Sequence, residues 1–154
     1  MRSGRRVFSS REQLESAVGQ DLGTSDWVRL DQAAIDAFAE ITGDDQWIHV
    51  DSSRAAEGPY GSTIAHGYLT LSMLPAFRRT IFEIQNCRAQ LNYGLNKIRF
   101  PGVVPAGSRL RAHAHLDSVI NRGESSDVAV TYTIECDGST KPVCVAESVV
   151  RVLF

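Results

Sequence analysis

The segment Thr63-Ile64-Ala65-His66-Gly67-Tyr68-Leu69-Thr70-Leu71-Ser72-Met73-Leu74 begins the most apolar helical stretch of the chain, which continues to about Ile81. At its start the apolar residues fall on nearly all sides of a helix, and a helix of this kind is usually buried. Pro75 should kink or restart the helix, because proline lacks an N–H and clashes with the preceding turn. We therefore predict a central, buried helix.

The second half of the chain changes to an alternation of apolar and polar residues, which is typical of strands. Its connections contain Asn121-Arg122-Gly123 and Asp137-Gly138, which favour hairpins and therefore an antiparallel sheet. A change of parity near Asn96-Lys97 indicates a bulge. A short alternating stretch earlier in the chain adds one more strand, so about five are expected, at 26–30, 89–100, 110–120, 128–135 and 143–153.

Two helices are predicted before the central one. The first begins after Ser10 and ends near Gly19 or Gly23, and the second begins after Asp31 and ends at Gly43. Residues 1–8 show no such pattern and are predicted to be a flexible tail. The expected architecture is a single α+β domain spanning residues 1–154, with an antiparallel sheet curled around the central helix. The open sheet edges favour pairing with a second copy.

Composition limits the classes of function. The chain has 154 residues and a formal net charge of -2 with no basic block, which argues against nucleic acid as the main partner. No apolar run reaches the roughly 20 residues that span a bilayer, and no signal peptide is expected. The three cysteines have no metal-binding spacing, so we expect free thiols in a reducing cytoplasm.

The segment Gly43-Asp44-Asp45-Gln46-Trp47-Ile48-His49 places acid–base side chains just beyond a predicted helix end. A carboxylate and an imidazole on one loop can converge on a single water. Taken alone, an exposed Asp and a single His are more often solvated or structural than catalytic. The other histidines are expected to be structural or on the surface: His66 forms a hydrogen bond at a helix start, and His113 and His115 share one strand face without a third metal ligand.

The segment from Gly43 to His49 resembles the hydratase motif of the MaoC-like dehydratases and (R)-specific enoyl-CoA hydratases. That motif has Gly-Asp, any residue, Asn-Pro, one apolar residue and His. The sequence Ile64-Ala65-His66-Gly67 and the strand from Asn92 to Pro101 are also similar to the family, and the three motifs occur in the family's order. In this chain Gln46 and Trp47 stand where many members have Asn and Pro. The resemblance covers roughly residues 20 to 153.

The resemblance implies a hot-dog fold, a homodimer and reversible addition of water to a trans-2-enoyl thioester. Asp44 and His49 match the catalytic pair, and either could supply the proton to C2. Gly67 matches the glycine whose N–H serves the oxyanion hole, and Gln46 is expected to contact the substrate. The substrate would be a thioester of CoA or of acyl carrier protein, and no metal or other cofactor is expected.

Two alternative functions remain at this stage. A hot-dog thioesterase would use a carboxylate and water to attack C1 of the thioester, although the Asp44–His49 spacing with Gly67 is not typical of that class. A non-catalytic acyl-binding subunit would pair with a catalytic partner, although such a subunit has no need of both Asp44 and His49.

Overall fold

The computed structural model describes residues 4–154. Helix α1 spans Arg11–Ser16, and the Ser10 side chain caps it by accepting a hydrogen bond from the N–H of Gln13. Helix α2 spans Gln32–Thr42 and is capped by Asp31 in the same way. Helices α1 and α2 begin where predicted and α2 also ends there, but α1 ends at Ser16, before the predicted Gly19 or Gly23. Gly43 ends α2 at φ 78°, a left-handed conformation that glycine adopts without steric cost.

The central helical stretch is divided into α5, Gly67–Ser72, and α6, Leu74–Ile81. Pro75 lies in the first turn of α6, where a missing N–H breaks no helical hydrogen bond, so the predicted restart is confirmed. The predicted start at Thr63 or Ile64 is wrong by about three residues. The N–H of Ala65 instead donates to the carbonyl of Val104, which holds this segment in an extended conformation.

Within residues 4–154 the main sheet has six strands: β2 Asp21–Thr24, β3 Val28–Leu30, β5 Ala89–Arg99, β6 Ser108–Arg122, β7 Ser125–Cys136 and β8 Cys144–Leu153. Their order is β2-β6-β7-β8-β5, with β3 also paired to β6. All these pairings are antiparallel, as predicted. Register shifts in the β5–β8 pair confirm the bulge near Asn96 and add a second near Tyr93.

The N-terminal segment is not a flexible tail as far as residue 8. Strand β1, Arg6–Phe8, pairs in parallel with β4, Phe82–Ile84, and Phe8 is only 2% exposed. The prediction failed because β1 is three residues long and its partner lies more than seventy residues away, so no local pattern marks it. Residues 1–3 of the predicted tail lie outside the described residues.

The core lies between the helices and one face of the main sheet. Leu69 of α5 and Phe77 and Ile81 of α6 are buried in the same cluster as alternate residues of β6 and β7. The remaining helices are short: α3 spans Trp47–Val50 and α4 spans Ser52–Ala56. No helix between residues 4 and 154 is long and apolar enough to cross a membrane.

Replacing Phe8 by Ala tests whether β1 belongs to the core. The buried ring packs edge-on against Phe82, with ring centroids 6.2 Å apart. We expect Phe8→Ala to lower the free energy of unfolding by about 3–5 kcal/mol in urea denaturation, the usual cost of emptying a buried Phe site. Val7→Ala is the matched control, because Val7 is 42% exposed on the same strand. Equal effects of the two substitutions would contradict the observed role of β1.

Candidate active site

The loop after α2 positions the carboxylate of Asp44. The positive φ of Gly43 turns the chain out of the helix, and the N–H of Asp44 then donates to the Thr42 hydroxyl over 3.3 Å. The Asp44 side chain is 53% exposed, so solvent or a ligand can reach it. The loop leads directly into α3, which carries His49.

His49 is buried, and one hydrogen bond sets the direction of its ring. Its Nδ1 lies 2.7 Å from the carbonyl oxygen of Ile64. Because a carbonyl oxygen only accepts hydrogen bonds, this contact places the ring proton on Nδ1. The other nitrogen, Nε2, therefore presents a lone pair, and it lies 4.0 Å from Oδ2 of Asp44.

The distance between Asp44 and His49 suits a bridging water. At 4.0 Å the two atoms are too far apart for a direct hydrogen bond. Both are acceptors, so a water between them could donate one O–H to each. Its oxygen lone pairs would then be free to attack an electrophile.

His66 fixes both members of this pair. Its Nε2 donates to the backbone carbonyl of Asp44 over 2.8 Å, which confirms the structural hydrogen bond expected from the sequence. Its ring also stacks on that of His49, with centroids 3.8 Å apart and an interplanar angle of 22°. Phe38 of α2 packs against the opposite side of His66 at 4.9 Å. The positions of Asp44 and His49 are thus coupled through His66.

Sequence reasoning missed the contribution of Gln32. Its side-chain amide donates to the backbone carbonyl of His49 over 2.7 Å and to Asp36 over 2.8 Å. Its amide oxygen accepts a hydrogen bond from the hydroxyl of Thr63 over 2.5 Å. Gln32 therefore ties α2, α3 and the segment before α5 together. Its place directly after the N-cap of α2 gives no sequence signal for this role.

Gly67 begins α5 beside these residues. Within residues 4–154 its N–H donates to no backbone carbonyl, so it is free to bind a ligand atom. A Cβ at this position would lie 3.0–3.2 Å from the ring of Phe100, closer than ordinary side-chain contacts. The close packing of Phe100 explains why glycine stands here, since its backbone conformation does not require one.

Gln46 lies at the exposed rim of the site and forms the N-cap of α3 without a side-chain hydrogen bond to the helix. Its backbone carbonyl accepts the N–H of His49 over 2.9 Å. Trp47 packs between Gly58 and the guanidinium of Arg54, whose carbon lies 4.4 Å from the ring centre. The turn normally stiffened by proline is therefore held here by packing of Trp47.

Geometry alone would permit a metal ion at this site. Asp44, His49 and His66 each offer one ligand atom, and these atoms lie within 4.8 Å of one another. However, His49 Nδ1 and His66 Nε2 are already bound to carbonyl oxygens, which leaves one free nitrogen on each ring. The expectation that no metal is required stays a prediction.

His113 and His115 lie on the surface, as predicted, with side chains 44% and 39% exposed. The carboxylate of Asp21 contacts both, at 3.7 Å from His113 and 2.9 Å from His115. The hydrogen bond from His115, followed by the charges of both histidines, holds the pKa of Asp21 below its ordinary value. Asp21, His113 and His115 therefore form a surface group that is separate from the site of Asp44 and His49.

An antiparallel sheet packed on a central helical segment is the hot-dog architecture. The family model described as "MaoC like domain" matches residues 13–136. The chain therefore belongs to the MaoC-like dehydratase family.

Individual relatives agree with this assignment. The chain is 48% identical over 147 residues to 3-hydroxyacyl-thioester dehydratase Z of Mycobacterium tuberculosis, covering 95% of this chain and 97% of that protein. It is 41% identical to nodulation protein N of Rhizobium leguminosarum bv. viciae, covering 92% and 89%. A solved (R)-hydratase from A. caviae involved in PHA biosynthesis superposes with a TM-score of 0.69 at 22% identity, covering 86% and 94%, and confirms the fold.

The two buried histidines should carry their ring protons on opposite nitrogens. His49 donates from Nδ1 to Ile64, whereas His66 donates from Nε2 to Asp44. In ¹⁵N-detected NMR of the neutral rings we expect a protonated Nδ1 for His49 and a protonated Nε2 for His66. Single His→Gln variants assign the signals, and the exposed His113 serves as a reference. A protonated Nε2 on His49 would contradict the geometry, because that nitrogen could not then accept a proton from water.

Proposed function

We propose that this chain is an (R)-specific 2-enoyl-thioester hydratase that also catalyses the reverse dehydration of 3-hydroxyacyl thioesters. The observation that carries the proposal is the 4.0 Å separation of Asp44 Oδ2 and His49 Nε2, two acceptors that face each other across the space of one water. The similarity to 3-hydroxyacyl-thioester dehydratase Z supports the same reaction class.

In the proposed hydration step, Asp44 and His49 orient one water, and Asp44 takes a proton from it as its oxygen attacks C3. A C3–O bond forms, and the π electrons of the C2–C3 double bond move toward the thioester carbonyl to give an enolate. Asp44 then delivers a proton to C2, which completes the addition of water. Paired acid–base groups of this kind typically contribute about 10²–10⁴ in rate.

The enolate oxygen needs a hydrogen-bond donor. The N–H of Gly67 is the proposed donor, since no backbone carbonyl in the described chain accepts it. Such a donor acts only if it already points toward the developing charge, and losing one typically costs about 10²–10³ in rate. Gln46 at the exposed rim is proposed to contact the part of the substrate that enters the site, through its free amide.

The proposed substrate is a thioester of CoA or acyl carrier protein, and the proposed assembly is a homodimer. Strand β5 is an edge of the main sheet and exposes Leu91, Tyr93 and Leu95 by 43–59%. An edge strand with apolar side chains is suited to pairing with a second copy. The three free cysteines fit the proposed location in a reducing cytoplasm.

Substitution of the two acid–base residues tests the reaction. We expect wild-type protein to remove the enoyl-thioester absorbance of crotonyl-CoA and to give the (3R)-hydroxy product. Asp44→Asn and His49→Gln should each lower kcat by about 10²–10⁴, because each removes a proton acceptor from the water. Circular dichroism would establish that both variants fold.

Asp45→Asn is the matched control, because Asp45 lies on the same exposed loop and has no place in the proposed mechanism. It should retain wild-type turnover. Release of free thiol without loss of the enoyl band would contradict hydration and favour a thioesterase. Binding of acyl-CoA without either change would favour an acyl-binding subunit.

A further inference from the structure

A cavity of about 420 Å³ lies between the central helices and the sheet. Its volume is within the range of small-molecule sites. The walls come from α5, α6, β5, β7 and β8, and their apolar lining residues are Leu71, Leu74, Pro75, Leu95 and Val150. Such residues suit an acyl chain. The lining also includes Ser72, Asn92 and Ser148, and two larger polar side chains that an aliphatic chain alone does not need.

The first polar side chain is Arg78 of α6, which is the charged residue of the cavity lining. Within residues 4–154, no carboxylate lies at ion-pair distance from it. Glu83, the nearby acid on the far side of Arg78, is paired with Arg5. The guanidinium donates instead to the neutral amide oxygen of Gln90 and lies 5.3 Å from the ring centre of Phe82.

Arg78 is half-buried, and the contacts of its guanidinium are with neutral partners. Charged side chains withdrawn from water are normally compensated by an opposite charge, because their desolvation is costly. Gln90 is itself held by its amide group, which donates to the carbonyl of Ile84, so it orients Arg78 without neutralising it. Arg78 is therefore ready to pair with an anion that enters the cavity.

The second polar side chain is Tyr132 of β7, which is only 3% exposed yet lines the same cavity. Burial raises the pKa of its hydroxyl, and the nearby charge of Arg78 opposes that rise only in part. The hydroxyl is consequently a neutral donor throughout the physiological pH range. Because Tyr132 lines the cavity, a ligand atom there could accept the proton of its hydroxyl.

Two elements connect the cavity with the proposed catalytic site. Leu71 lies four residues after Gly67 on α5, which places both on one helix face about 6 Å apart along the axis. On the sheet side, Leu95 of β5 lines the cavity, and Phe100 just beyond β5 packs on Gly67. A thioester held at Gly67 can therefore extend its acyl chain toward Arg78.

We propose that the far end of this cavity binds a carboxylate at the end of the acyl chain, through the guanidinium of Arg78 and the hydroxyl of Tyr132. The substrate class would be 2-enoyl thioesters of dicarboxylic acids. This inference rests on the proposed hydratase function and adds the identity of the chain end. Arginine suits the task because its planar group can give a carboxylate two parallel hydrogen bonds.

The test compares enoyl-CoA substrates of equal chain length that end in a methyl group or in a carboxylate, over a series of lengths. Wild type should have the higher kcat/KM for the carboxylate-ended substrate at the length that reaches Arg78. Arg78→Leu should lower kcat/KM for that substrate by about 10- to 100-fold, the usual effect of losing a charged hydrogen bond. Turnover of the methyl-ended substrate should stay the same or rise.

Three further variants make the comparison specific. Arg79→Leu is the matched control, because Arg79 is the exposed neighbour on α6 and lies outside the cavity lining. It should leave kcat/KM unchanged for both substrates. Arg78→Lys keeps the charge and should recover part of the preference. Tyr132→Phe keeps the ring and should lower kcat/KM only for the carboxylate-ended substrate, which gives an independent test if Arg78→Leu does not fold.

The remaining outcomes overturn the inference in distinguishable ways. Equal effects of Arg78→Leu on both substrates would show that Arg78 does not recognise the chain end. A loss that disappears when CoA is replaced by a phosphate-free pantetheine thioester would assign Arg78 to the carrier phosphate. If the wild type hydrates only methyl-ended substrates, the proposed function is supported and this inference is contradicted. If it hydrates neither substrate, both are contradicted.

Discussion

The hydrogen bond from His49 Nδ1 to the carbonyl of Ile64 is the contact on which the proposed chemistry depends. It joins α3 to the extended segment before α5, through two residues that are fifteen apart in sequence. It also leaves Nε2 as the free acceptor that faces Asp44. Without this bond the imidazole could rotate or carry its proton on the wrong nitrogen, and the two acceptors would no longer share one water.

The scaffold supports this bond from both sides. The backbone hydrogen bond from Ala65 to Val104 keeps the segment before α5 extended, so the Ile64 carbonyl stays available to the ring. On the other side, Gln32 holds the His49 backbone, and His66 stacks on the His49 ring while it binds the Asp44 carbonyl. Functional groups held by several buried contacts need little reorganisation when a reaction begins.

The sequence was sufficient to predict those elements that carry strong local signals. Asp31 and Gly43 marked both ends of α2, and alternation marked the long strands, because capping and pleat periodicity depend on near neighbours. Short elements stabilised by distant partners were missed, and β1 with Phe8 is the clearest case. Asp44 and His49 were predicted as a catalytic pair from the resemblance to the MaoC-like motif, and in the folded chain their side chains lie 4.0 Å apart. Gln32 and the Ile64 carbonyl were not predicted, because side chains and backbone groups of ordinary type acquire such roles only in the folded chain.

The central claim is that Asp44 and His49 act on one water, and a double-mutant cycle on kcat with crotonyl-CoA tests it most directly. Residues that act on one reacting group give strongly non-additive losses. The account predicts that the Asp44→Asn, His49→Gln double variant is about as slow as the slower single variant. A double variant whose loss equals the product of the two single losses would contradict it, since the residues would then act independently.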